Sequence, residues 1–188
     1  MSQELIQACL YGDPSARKQL IEQQYSSFMA MARRYAKSNA QADVFFDTAF
    51  VHVFQMLPEF KDSGLGFDAW MKETFLASVI QQLKNNKAEY YVTTTTRVVD
   101  ESKKASNDLF GQGAEENVND LSAEEYIRAL QQLPASFRTV YNMRVIDQYS
   151  FSTISQMMEV SESSAQNTLE RARNQFAKNL QMFMHGYA

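Results

Sequence analysis

Between Ser150 and Phe176 the sequence SFSTISQMMEVSESSAQNTLERARNQF carries two apolar stripes at helical spacing on either side of a very short break. Ala165, Leu169, Ala172 and Phe176 recur at steps of four, three and four, which places them on one helical face. Phe151, Ile154 and Met158 form the shorter stripe before the break. In the break, Val160 can plug the angle between two helices, and the Ser161 hydroxyl can accept from the amides that open the second. The pattern predicts a helix-turn-helix. So small a pair cannot bury both apolar faces alone, and a helix from Ala135 to Ile146, with Pro134 at its first turn, is the expected support.

A helix-turn-helix holds its second helix out from the domain so that its first turns can enter the major groove of DNA. The outward side carries Ser163, Ser164, Gln166, Asn167, Thr168 and Glu170, then Arg171 and Arg173. Hydroxyls and amides can bond base edges or phosphates, and the arginines can neutralise phosphate charge. Taken alone, the same side is equally an ordinary solvated face.

Charge divides the chain into three. The formal net charge of −4 excludes a generally basic, sequence-blind nucleic-acid binder. Residues 1–87 hold nine Lys/Arg and nine Asp/Glu, residues 88–121 three and seven, and residues 122–188 six and six, so the excess lies entirely in the middle. That middle stretch also has the Thr93 to Thr96 run, Gly111, Gly113 and few periodic apolar residues, which marks a linker between two neutral helical domains. Leu109 and Phe110 are its isolated apolar residues and are expected to pin it transiently to a domain surface.

A single Cys9 permits no internal disulfide and fits a reducing cytoplasm. No stretch approaches a membrane span of about twenty apolar residues, so no membrane insertion is expected. His52 and His185 lack ligand-like neighbours, and neither a Gly-rich phosphate loop nor a nucleophilic triad motif occurs. The expectation is a cytoplasmic protein that is not an enzyme and needs no cofactor or metal.

The first 87 residues predict four helices. Leu5, Ala8 and Cys9 lead to a break at Gly12-Asp13-Pro14, where Asp13 can cap and Pro14 can start the next helix, ending near Lys37-Ser38-Asn39. A third, strongly apolar helix runs from about Asp43 to Leu57 and is stopped by Pro58, with a turn at Ser63-Gly64-Leu65-Gly66. Phe67, Trp70, Met71, Phe75, Val79, Ile80 and Leu83 mark the fourth. The aromatics are core by default, Trp70 included.

The order of these features resembles bacterial RNA polymerase sigma factors of the extracytoplasmic-function type. Leu10-Tyr11-Gly12-Asp13, Ala16, Leu20, Tyr25 and Ala32-Arg33-Arg34-Tyr35 match that family's opening helices. Phe50-Val51-His52-Val53-Phe54, Leu57, Phe60 and Phe67-Asp68-Ala69-Trp70-Met71 resemble its FLxxW, LxxF and FxxWL pattern. Ala129-Leu130-Gln131-Gln132-Leu133-Pro134, Arg138 and Val140 resemble the lead into its last domain, and Ser150 to Arg173 its helix-turn-helix.

The resemblance implies an all-α protein: a four-helix sigma domain two, a flexible acidic linker, and a helix-turn-helix sigma domain four. It implies a transcription initiation factor whose partners are core RNA polymerase, promoter DNA and an anti-sigma factor. Polymerase docking falls on Asp43, Val44, Asp47 and Thr48. Promoter opening falls on the segment from Phe60 to Phe67 and on the fourth helix, with Lys84 and Lys87 as its cations. Upstream recognition falls on Ser163, Ser164, Gln166, Asn167, Thr168, Arg171 and Arg173. A fold that kept polymerase binding but lost melting would instead act as a regulatory adaptor.

Departures from the family pattern lie where DNA contact is expected. Gln81, Gln82, Asn85 and Asn86 on the fourth helix, and Gln166 and Thr168 on the recognition helix, stand where cations are common, which predicts weaker and less salt-dependent binding. Glu159 replaces the Gly that usually takes the left-handed turn; because Glu there costs on the order of 1 kcal/mol, a different turn geometry is open. Phe45 and Phe46 imply either a modified polymerase contact or deeper burial.

Overall fold

The computed structural model describes residues 1–62, 64–86 and 122–184. Eight α-helices among them form two bundles that pack against each other.

Helix α1 (Gln3–Leu10) is capped by Ser2 and ends at Gly12, whose φ of 82° makes the turn. Asp13 then accepts from the amides of Ser15 and Ala16 and starts α2 (Pro14–Tyr35), with Pro14 in its first turn as the sequence predicts. Helix α3 (Asn39–Met56) begins about four residues earlier than its apolar pattern suggests. The reason is local: Ser38 accepts from the Gln41 amide, so the polar residues Asn39 to Gln41 form the first turn. After α3 the chain tightens into a 3-10 turn (Leu57–Asp62) containing Pro58, then enters α4 (Phe67–Asn85).

The first core is aromatic. Phe28, Phe46, Phe50 and Phe75 meet edge-on or tilted with ring centroids 4.7–6.2 Å apart, and Phe60, Phe67 and Trp70 form a second cluster. Phe45 and Phe46 are buried, so their place in the sequence reflects packing, and Trp70 is core.

The second bundle opens at Ser122 with a reciprocal capping box to Glu125, which starts α5 (Ala123–Gln131). Helix α6 (Ala135–Tyr141) is shorter than expected: Pro134 lies before it as its cap residue, and the chain continues as a π-helical turn (Asn142–Ile146). Gln148 closes that turn with φ 60°. Helices α7 (Phe151–Met158) and α8 (Glu162–Met184) complete the bundle. No described helix is long and apolar enough to cross a membrane.

Candidate nucleic-acid interface

The turn between α7 and α8 is a Schellman closure. The Glu159 amide donates to the Gln156 carbonyl (3.4 Å) and the Val160 amide to the Ser155 carbonyl (3.0 Å). Glu159 adopts φ 57°, ψ 45°, so the left-handed geometry is kept without Gly. The hydrogen bonds and the half-buried Val160, which packs on the core, outweigh a strain on the order of 1 kcal/mol. Ser161 then accepts from the Ser164 amide at 3.1 Å, opening α8 as its sequence position predicts.

Inward anchoring of α8 is complete. Ala165, Leu169, Ala172 and Phe176 are buried, and Phe176 meets Tyr126 and Tyr141 with ring centroids 5.0 and 4.8 Å away. Its other side faces water: Ser163, Ser164, Gln166, Asn167, Glu170, Arg171 and Arg173 are exposed and Thr168 is half-buried. Three of these groups are engaged within the protein, the first being the Ser163 hydroxyl, which lies 3.1 Å from that of Ser161. The Thr168 hydroxyl donates to the Ser164 carbonyl at 2.7 Å, and the Arg171 guanidinium stacks over the Phe137 ring at 5.2 Å. The side chains of Ser164, Gln166 and Asn167 therefore make up the freest hydrogen-bonding set, with Arg171 and Arg173 behind them as cations.

The residues expected on the first bundle are more scattered. Asp43, Val44, Asp47 and Thr48 share one exposed stripe of α3, which Val51 extends; Val44 and Val51 are each 57% exposed despite being apolar. Lys84 is not a free cation: its side chain is 12% exposed and its Nζ lies 2.7 Å from Glu159 Oε1, on the helix-turn-helix turn itself. Lys87, Leu109, Phe110, His185 and the whole stretch 88–121 lie outside the described residues.

Sequence reading missed the seam between the bundles. Asp147, its side chain 4% exposed, accepts from Tyr35 Oη (2.9 Å) and Arg34 Nη2 (3.1 Å) and pairs with Lys72 Nζ (3.2 Å). Burial first, and then the Asp147 carboxylate, hold the Tyr35 phenol well above its ordinary pKa, so it stays protonated and donates. Arg138, 1% exposed, donates from Nε to the Tyr35 carbonyl (2.8 Å) and from Nη1 to the carbonyls of Gln131 and Leu133 (2.9 Å each). A buried arginine flanked by Asn142 and Asp147 was the available signal, but their partners across the seam are backbone carbonyls and side chains 103–113 residues away.

Residues 123–176 match the family model of sigma-70 region 4. No curated protein matches the chain in sequence. Among solved structures, the sigma factor RpoE in complex with the anti-sigma factor NepR from Bartonella quintana is similar at 16% identity and a TM-score of 0.54, covering 87% of this chain and 96% of that one. CnrH in complex with the cytosolic domain of CnrY is 17% identical over 94% of this chain and 95% of that one, with a TM-score of 0.49.

Proposed function

From a carboxy-terminal domain that belongs to the sigma-70 region 4 family and an all-helical fold shared with sigma factors, we infer that this protein is a transcription initiation factor of the extracytoplasmic-function type. It binds core RNA polymerase and directs it to promoters through two DNA-contacting domains, residues 1–87 and 122–188, joined by a linker at 88–121. The observation that carries this reading is the split face of α8, with Leu169 and Phe176 buried and Gln166 and Asn167 in water.

The roles follow from chemistry. Ser163, Ser164, Gln166, Asn167 and Thr168 carry hydrogen-bonding groups suited to base edges and the sugar-phosphate backbone, and Arg171 and Arg173 supply charge toward phosphate. Asp43, Val44, Asp47 and Thr48 offer polymerase a mixed acidic and apolar stripe. Lys84 and Lys87 serve the melting helix. With so few cations, affinity for isolated DNA is low, and polymerase raises it by holding both domains on one promoter at high effective concentration.

The deciding experiment combines core-polymerase co-purification with run-off transcription on templates carrying random upstream sequence. Co-purification and transcripts from a selected subset of templates are expected. Core binding with no RNA synthesis on any template would assign the protein to the adaptor class.

A further inference from the structure

Every other acidic residue of the second bundle has a task inside the protein. Glu124 pairs with Arg33, Glu125 closes the capping box with Ser122, Asp147 meets Tyr35 and Arg34, and Glu159 meets Lys84. Glu162 stands in the first turn of α8, where the positive end of the helix dipole favours a carboxylate. Glu170 has none of these reasons. It lies in the third turn of α8, beyond the reach of that dipole, is exposed, and forms no hydrogen bond or ion pair among the described residues.

Its place on the helix is specific. At about 100° per residue, Arg171 and Arg173 fall on the two flanks of the side opposite the buried stripe, and Ser163, Asn167 and Glu170 lie between them. Arg171 leans back onto the domain, its guanidinium over the Phe137 ring. The cations therefore stand at the edges of the face, toward the phosphates that wall a major groove, while its middle, which would meet the base edges on the floor, carries a carboxylate.

An ionised carboxylate only accepts hydrogen bonds. On the groove floor, guanine N7 and O6 and thymine O4 also only accept, adenine sets its N6 donor beside the N7 acceptor, and cytosine offers the N4 amino group as a donor. A carboxylate placed there is met by cytosine and repelled by guanine and thymine, so it selects by exclusion as well as by contact.

We propose that Glu170 is a specificity-determining residue of α8, its carboxylate accepting from the N4 amino group of one cytosine in the upstream promoter element. The proposal rests on the sigma-factor reading above. It also gives the face a polarity of readout that its amides and hydroxyls, which both donate and accept, lack.

The test selects active templates from a random upstream library with core polymerase and the full-length wild type, Glu170→Gln or Glu170→Ala; both variants change an exposed side chain and leave the core intact. Wild type should enrich cytosine at one position, about five-fold to a hundred-fold over the disfavoured bases. Glu170→Ala should lose that preference at that position alone, and Glu170→Gln should move it toward adenine, whose N6 and N7 a side-chain amide can bond together. A cytosine preference unchanged in both variants, no enriched cytosine in wild type, or an equal rise in output on every template would each overturn the assignment, the last because it would mean simple repulsion from phosphate. A parallel selection of duplex DNA by the proteins alone at low salt separates the two readings. Cytosine enriched there by wild type and lost in Glu170→Ala, with no transcripts from polymerase, would sink the sigma-factor reading and leave the base contact in place.

Discussion

Replacing Arg138 with Met removes a guanidinium and keeps most of its apolar stem. The side chain is 1% exposed and serves three carbonyls, Tyr35 O, Gln131 O and Leu133 O, at 2.8–2.9 Å. A buried acceptor stripped of its donor costs about 1–3 kcal/mol, less where the chain can relax toward water. Three carbonyls at about that cost each, with partial relaxation, give an expected loss of about 3–5 kcal/mol. Against a total stability of roughly 5–15 kcal/mol this is severe. Urea unfolding followed by circular dichroism measures it, with the midpoint falling at unchanged slope. Arg138→Lys should recover only part of the loss, because a point ammonium cannot reproduce a planar fork aimed at three separate oxygens. A loss below about 1 kcal/mol for Arg138→Met would refute the reasoning, since the carbonyls would then be satisfied without the cation.

Leu169→Ala, at a buried anchor of α8, should cost about 2–4 kcal/mol by urea unfolding, and a cost under about 1 kcal/mol would mean that the helix is not seated on this face. Glu159→Gly, made in a Lys84→Ala background so that no ion pair is lost, should stabilise by about 1 kcal/mol because φ 57° suits Gly; a destabilised double variant would contradict the left-handed turn. Tyr149 is pushed up to about 12 by burial and by the carboxylates of Asp147 and Glu73, and Tyr35 is raised well above its ordinary value. Folding thus holds protons that the unfolded chain releases near pH 10; this contribution is complete below about pH 10 and lost as pH rises through 12. Thermal midpoints should fall steadily from pH 10 upward, and a flat profile from pH 9 to 12 would contradict the buried phenols.

Patterns carried by side-chain periodicity and caps were open to reading in the sequence. Ala165, Leu169, Ala172 and Phe176 all turned inward, Ser161 capped α8, and Asp13-Pro14 opened α2, because each feature acts over a few residues with one physical cause. Glu159 shows the limit of propensity: Schellman hydrogen bonds and Val160 packing impose a conformation that the residue alone disfavours. The α3 start was hidden because Asn39, Ala40 and Gln41 carry no apolar signal, and their helicity comes from the Ser38 cap. The seam was hidden for a deeper reason. Arg138, Asn142 and Gln131 bond to carbonyls, which every residue possesses, so no sequence pattern names their partners. The same seam engages Lys84, which the family resemblance had assigned to DNA.

The claim that the exposed side of α8 reads promoter sequence is tested most directly by selecting active templates from a random upstream library with polymerase and each of three proteins: wild type, Asn167→Ala and Arg171→Ala. Asn167→Ala should change which bases are enriched, whereas Arg171→Ala should lower output on every template and leave the enriched bases as they are. Identical enriched sequences for wild type and Asn167→Ala, with equal loss on every template for both variants, would show that this face does not read bases.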